Sequence, residues 1–153
     1  MTRDTRATST TLGYVLTLGI TSILITGLLM GAGGMVEDQR ERTIRSELQV
    51  VGQMVAADVS AADRLAQAGD ATFAIRRDVP PTVAGATYTV EVVVDDPENF
   101  PPTDTYLRLS TSNPSVTVEV DMALQSTLVE SSLTGDRVVV TYDPATGLEV
   151  TDG

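Results

Sequence analysis

The side chains with most chemical potential in this chain are carboxylates. Asp95, Asp96 and Glu98, with Asp104 close behind, form the densest acidic loop. Oxygen ligands at such spacing suit Ca²⁺, but the pattern is no EF-hand, and the loop over 95–104 reads first as a solvated acidic turn. A pair of carboxylates is also the residue type that hydrolyses glycosides, yet nothing in the sequence locates a cleft between two of them. Ser131-Ser132 and the many threonines have hydroxyls but no base to activate them, because the chain contains no His. Arg76-Arg77 reads as a solvated pair at a strand end.

Absences exclude more than presences suggest. There is no Cys, His, Trp or Lys, and all ten basic residues are Arg. Thiolate nucleophiles, disulfides, zinc–sulfur sites, imidazole bases and Schiff bases are therefore ruled out by residue type. The sequence predicts no enzyme, no cofactor and no metal centre. Against ten Arg stand 21 Asp and Glu, for a formal net charge of −11. A nucleic-acid-binding surface needs clustered positive charge, which is missing here, so nucleic acid is not an expected partner. High negative charge without Lys fits a proteome adapted to high salt, where carboxylates stay hydrated and screening suppresses their repulsion.

The element that must position the rest is a hydrophobic run. No charged residue occurs from Ala7 to Val36, and Leu12–Val36 reads LGYVLTLGITSILITGLLMGAGGMV. As a helix this stretch reaches roughly 37 Å at 1.5 Å per residue. That crosses a bilayer core of about 30 Å. An interfacial helix would need a charged face, and there is none. Gly13, Gly27 and Gly31 are the candidate helix-packing positions. Gly27 and Gly31 make a GxxxG pair, a spacing that lets helices approach closely in lipid. The Gly31-Ala32-Gly33-Gly34 cluster is a candidate weak point in the helix. Tyr14 sits near the inner membrane boundary, where a Tyr ring commonly anchors, and simple lipid-facing packing accounts for it equally.

Charges return abruptly at Glu37, Asp38, Arg40, Glu41, Arg42, Arg45 and Glu47. Through them runs an apolar stripe at spacings of three and four: Ile44, Leu48, Val51, Val55, Val59, Ala62 and Leu65. With no proline between the two parts, one helix is predicted over 8–67, stopped at Gly69-Asp70. From Ala71 the period changes to two. Strands are predicted at Thr72–Arg76, Thr87–Asp95, Tyr106–Thr111, Val116–Met122, Arg137–Tyr142 and Leu148–Thr151. Val116, Val118, Val120 and Met122 should face inward, and Thr117, Glu119 and Asp121 outward. Asp143-Pro144-Ala145-Thr146-Gly147 reads as a hairpin turn. Gln125–Leu133 fits a strand or a short helix equally.

Roughly 80 residues of strand bury little by themselves, so the amphipathic face of 44–65 must supply a second layer. The fold class expected is α+β: a long helix, half membrane-embedded and half amphipathic, packed on a small antiparallel β-sheet head. The divisions are a basic leader at 1–7, a membrane segment at 8–36, its amphipathic continuation at 37–68, and a β-rich domain at 71–153. Arg3 and Arg6 precede the apolar run with only Asp4 opposing them, which places the leader in the cytoplasm and the β domain outside the cell. The apolar run is much longer than the h-region of a removable secretory signal.

These N-terminal features resemble those of archaeal type IV pilin-like proteins of the haloarchaeal kind. The residues that carry the likeness are Arg6-Ala7-Thr8-Ser9-Thr10-Thr11-Leu12-Gly13-Tyr14-Val15-Leu16. The family pattern is Arg followed by Gly or Ala, a cut, then a small or apolar residue, Ser-Pro, an apolar residue, Ile or Leu followed by Gly, and an apolar run; Thr8 and Thr11 are more polar than usual for it. Thr10 stands where the family commonly has Pro. The resemblance covers about the first fifty residues, and the head matches only in style. It implies cleavage between Ala7 and Thr8 by a prepilin-type peptidase, with Arg3 and Arg6 as the leader's basic residues. It further implies membrane lipid as the first environment, and other pilin-like subunits as partners through the helix. Neither Asn99 nor Asn113 lies in an Asn-x-Ser/Thr sequon. Abundant filament subunits are often glycosylated, so this points to a minor or accessory subunit. The alternative reading is a permanently membrane-anchored extracellular binding module of the envelope or a secretion system.

Overall fold

The computed structural model describes residues 4–69, 71–94 and 105–153, with side chains from residue 12 onward. One helix, α1 (Asp4–Ala68), precedes seven strands: β1 (Phe73–Asp78), β2 (Tyr88–Val94), β3 (Thr105–Ser112), β4 (Ser115–Met122), β5 (Ser131–Thr134), β6 (Arg137–Asp143) and β7 (Gly147–Asp152). The class is α+β, with α1 packed on antiparallel sheets. The chain divides into two compact units, Met1–Arg40 and Glu41–Gly153. The amphipathic part of α1 thus belongs to the same unit as the strands.

The first unit contains the uncharged part of α1. Its backbone stays α-helical through Gly31–Gly34, where a weak point was expected. Each Gly costs about 1 kcal/mol against Ala but removes no backbone donor or acceptor, so the hydrogen-bond ladder persists.

In the second unit the strands form two antiparallel sheets, where the sequence suggested one. One sheet has the order β1-β6-β7 and the other β4-β3-β2-β5. Period-two patterning says which face of a strand is buried but not which strand lies beside it, so the split was invisible in sequence. Leu128, in the ambiguous 125–133 stretch, makes a single parallel bridge to Leu148, and only Ser131–Thr134 becomes a strand. Backbone bonds from Val129 N–H to the Leu148 carbonyl and from Leu148 N–H to the Thr127 carbonyl seal this junction. Gly147 ends the predicted 143–147 turn at φ 94°, and a Cβ there would lie 2.4 Å from the Thr127 carbonyl oxygen. Only Gly fits both the conformation and the gap.

Both sheets and α1 enclose one core. Ile44, Leu48, Val51, Val55, Val59 and Ala62 are buried against Val90, Val92, Leu107 and Leu109 of one sheet and Val138, Val140, Leu148 and Val150 of the other. On β4, Val116 and Met122 are buried and Val118 and Val120 partly so, while Thr117, Glu119 and Asp121 face solvent. The stripe departs from expectation at its end: Leu65 is 53 % exposed and Ala66 takes the inward position at 8 %. From Ala62 the i+4 step keeps the buried face where the i+3 step rotates away from it.

Candidate functional site

The first unit presents what a folded protein normally hides. Every large apolar side chain from Leu12 to Val36 is between 53 and 78 % exposed. This part of α1 is long and apolar enough to cross a membrane. Its polar groups are consistent with such an environment. Thr17, Thr21, Ser22 and Thr26 each donate the hydroxyl proton to the carbonyl four residues earlier, at 2.8–2.9 Å. Every Ser and Thr hydroxyl in 12–36 is therefore satisfied within the helix, as a medium without water requires. Tyr14 is exposed at the beginning of the run.

The packing glycines lie open. At Gly13, Gly27 and Gly31 an added Cβ would meet nothing within 4 Å. Gly27 and Gly31 are one turn apart, and Gly13 lies five turns before Gly31 at 3.6 residues per turn, so the helix brings all three onto one side. Nothing among the described residues needs them to be small. Ala7 and Thr8 fall in the opening turns of α1 with Arg6, but their side chains lie outside the described residues, as does Arg3 altogether. The acidic loop 95–104, the candidate Ca²⁺ site, also lies outside the described residues. Among the described residues no group of three or more His, Cys, Asp or Glu could hold a metal ion.

The second unit ties α1 down with contacts that sequence reasoning missed. Gly52 sits where helix and sheet touch: a Cβ there would lie 2.8 Å from both Leu109 Cδ1 and Val120 Cγ2. Asp58 forms an ion pair with Arg77 of β1, through Arg77 Nε and through Nη2 at 2.7 Å. Arg77 is thus not a solvated partner of Arg76. The hydrogen bond to Asp58, then its charge, raises the Arg77 pKa further above its usual value. Asp63, 4 % exposed, accepts the backbone N–H of Ser126 at 2.8 Å, that of Gln125 at 3.2 Å, and Gln67 Nε2 at 2.8 Å. A short carboxylate beside a buried apolar stripe was the available signal. Asp58 precedes Val59 and Asp63 follows Ala62, so both lie on the stripe's margins, where an acid must find a partner to be buried.

On the outer face of the four-stranded sheet, Arg108 of β3 bridges Glu119 of β4 at 3.1 Å and Glu91 of β2 at 3.3 Å. It also donates to the Tyr106 hydroxyl at 2.7 Å. This cluster sets one guanidinium between two carboxylates and joins three strands. It places no nucleophile beside a base.

The model of a family described as "Family of unknown function (DUF7266)" matches residues 3–151. No curated protein and no solved structure matches the chain.

Proposed function

We propose a function for this chain from the premise that it belongs to the DUF7266 family, whose match runs from the leader into the last strand. The chain is an archaeal type IV pilin-like subunit, minor or accessory in kind. It is held in the membrane by residues 12–36 with its β-rich domain outside the cell. After cleavage between Ala7 and Thr8 it is assembled into or onto a surface filament. It acts through its helix and its surface, without catalysis.

One observation carries the reading: an uncharged helical segment whose large side chains are all exposed and whose hydroxyls are all internally bonded. Such a segment is as well accommodated among copies of itself as in lipid, so its transfer from bilayer to filament core costs little. Three glycines on one side, with open space where a Cβ would be, allow the close backbone approach that helix association in an apolar medium uses. Removal of residues 1–7 takes away Arg3 and Arg6, which would otherwise be charges buried in the bundle.

Sequencing the N-terminus of protein extracted from membranes tests this directly. A chain beginning at Thr8 supports processing and assembly. A chain retaining residues 1–7 overturns the filament reading and leaves the permanently anchored binding module.

A further inference from the structure

The outer face of the four-stranded sheet is ruled into rows by its register. Thr117, Ser110, Thr89 and Thr134 lie opposite one another across β4, β3, β2 and β5. The next row is Glu119, Arg108, Glu91 and Ser132. These positions alternate with inward-facing ones, so their side chains share the solvent side. Two concavities follow one another along β2 at these rows. One, of about 200 Å³, is bordered by Thr89, Ser110 and Thr134. The other, of about 350 Å³, is bordered by Glu91, Arg108 and Ser132.

The groups that the rows leave unpaired define what can occupy them. Among the described residues, the hydroxyls of Thr89, Ser110 and Thr134 take part in no hydrogen bond. A guanidinium carries five N–H groups. Arg108 engages three of them, one each with Glu119, Glu91 and the Tyr106 hydroxyl, at 3.1, 3.3 and 2.7 Å. Two N–H groups remain, and so does one oxygen on each carboxylate. The ion pairs hold these donors and acceptors side by side, so their directions are set before a ligand arrives. An anion brought to this face meets Glu91 and Glu119, and a cation meets Arg108. An apolar surface strips water from the hydroxyls and gives nothing back. A neutral polyol does none of these. Each of its hydroxyls both donates and accepts, and so matches hydroxyl, carboxylate and guanidinium alike.

We infer that this face binds a neutral saccharide chain running along β2, with one sugar at Thr89, Ser110 and Thr134 and the next at Glu91, Arg108 and Ser132. The inference goes beyond the subunit reading and requires neither processing nor assembly. It gives the β-rich domain a ligand of its own.

The test uses the full-length chain in a polyoxyethylene detergent, which has no sugar headgroup. It is applied to an array of short neutral oligosaccharides of glucose, galactose and mannose, beside chains of the same lengths made of uronic acids. Retention is expected on one or more neutral chains and not on the uronic-acid chains. Thr89→Val combined with Ser110→Ala removes two hydroxyls with little change of shape. It should lower that retention about tenfold, the worth of two hydrogen bonds. Thr134→Ala, at an exposed strand position, should act in the same direction, and decides the matter if the double variant loses its circular dichroism. Glu149→Gln, on β7 of the other sheet, should bind as the parent does. Failure of every neutral chain to bind, equal retention of the uronic-acid chains, or Thr89, Ser110 and Thr134 variants that bind like the parent would each overturn the assignment. None of these outcomes bears on an N-terminus at Thr8, so the subunit reading stands or falls separately.

Discussion

Two stretches of the same helix show opposite relations between sequence and surroundings. In Leu12–Val36 the side chains are uncharged on every side, and the large apolar ones are exposed among the described residues. In Ile44–Ala66 the apolar residues keep to one stripe, and that stripe is buried against both sheets. The glycines differ in the same way. Gly13, Gly27 and Gly31 face open space, whereas Gly52 is small because Leu109 and Val120 leave no room for a Cβ. An all-round apolar helix specifies a solvent, lipid or a bundle of helices. An apolar stripe specifies a partner surface, here the sheets.

The contrast is broken most sharply by removing large side chains from each stretch. Leu48→Ala should destabilise the full chain by about 3 kcal/mol, since it empties a fully buried core position. Leu24→Ala should leave the unfolding of the β-rich unit unchanged. Chemical denaturation in detergent micelles, followed by far-UV circular dichroism, measures both. Equal losses at the two positions would mean that residues 12–36 are covered by the chain's own fold.

Enlarging the glycines reverses the arrangement. Gly52→Leu must push apart Leu109 and Val120, at a cost of about 2 kcal/mol in the same denaturation experiment. Gly27→Leu and Gly31→Leu should cost the head nothing, yet reduce recovery of assembled material from membranes. A Gly27→Leu chain that assembles normally would remove the packing role of that face.

Charges sharpen the comparison further. Asp63→Ala should cost about 2 kcal/mol by leaving the N–H groups of Gln125 and Ser126 without their acceptor. Hydrogen exchange should then accelerate at those two amides first. Asp38→Ala, on the helix before the β-rich unit begins, should have no measurable effect on unfolding.

The smallest effect expected is alkaline. Burial pushes the Tyr88 hydroxyl up to about 12 from the usual 10.0. Its ring is enclosed, and its hydroxyl donates to the Pro80 carbonyl at 2.6 Å. Because the folded value lies above the unfolded one, the neutral form favours the fold. This contribution is complete below pH 10 and is lost as the pH rises toward 12. Tyr88→Phe should flatten the stability profile across that window, as followed by denaturant midpoints.

Several features could be read from sequence because they depend on short-range rules. The apolar run gave the membrane-length helix. The three-and-four spacing from Ile44 to Ala62 gave its buried face, and period-two alternation gave every strand except β5 to within a few residues. Asp143–Gly147 gave a turn because Asp, Pro and Gly each bias the local backbone: Asp143 Oδ1 does accept the Ala145 N–H, at 2.8 Å. Other features depended on which distant residues meet. The division into two sheets, the substitution of Ala66 for Leu65 at the end of the stripe, the close approach at Gly52 and the partners of Asp58 and Asp63 all required the assembled fold. The physical reason is range. Hydropathy and periodicity fix which face of a segment leaves water, because each residue contributes independently. Pairing, clearance and charge compensation depend on two surfaces at once, and only the tertiary structure brings those surfaces together.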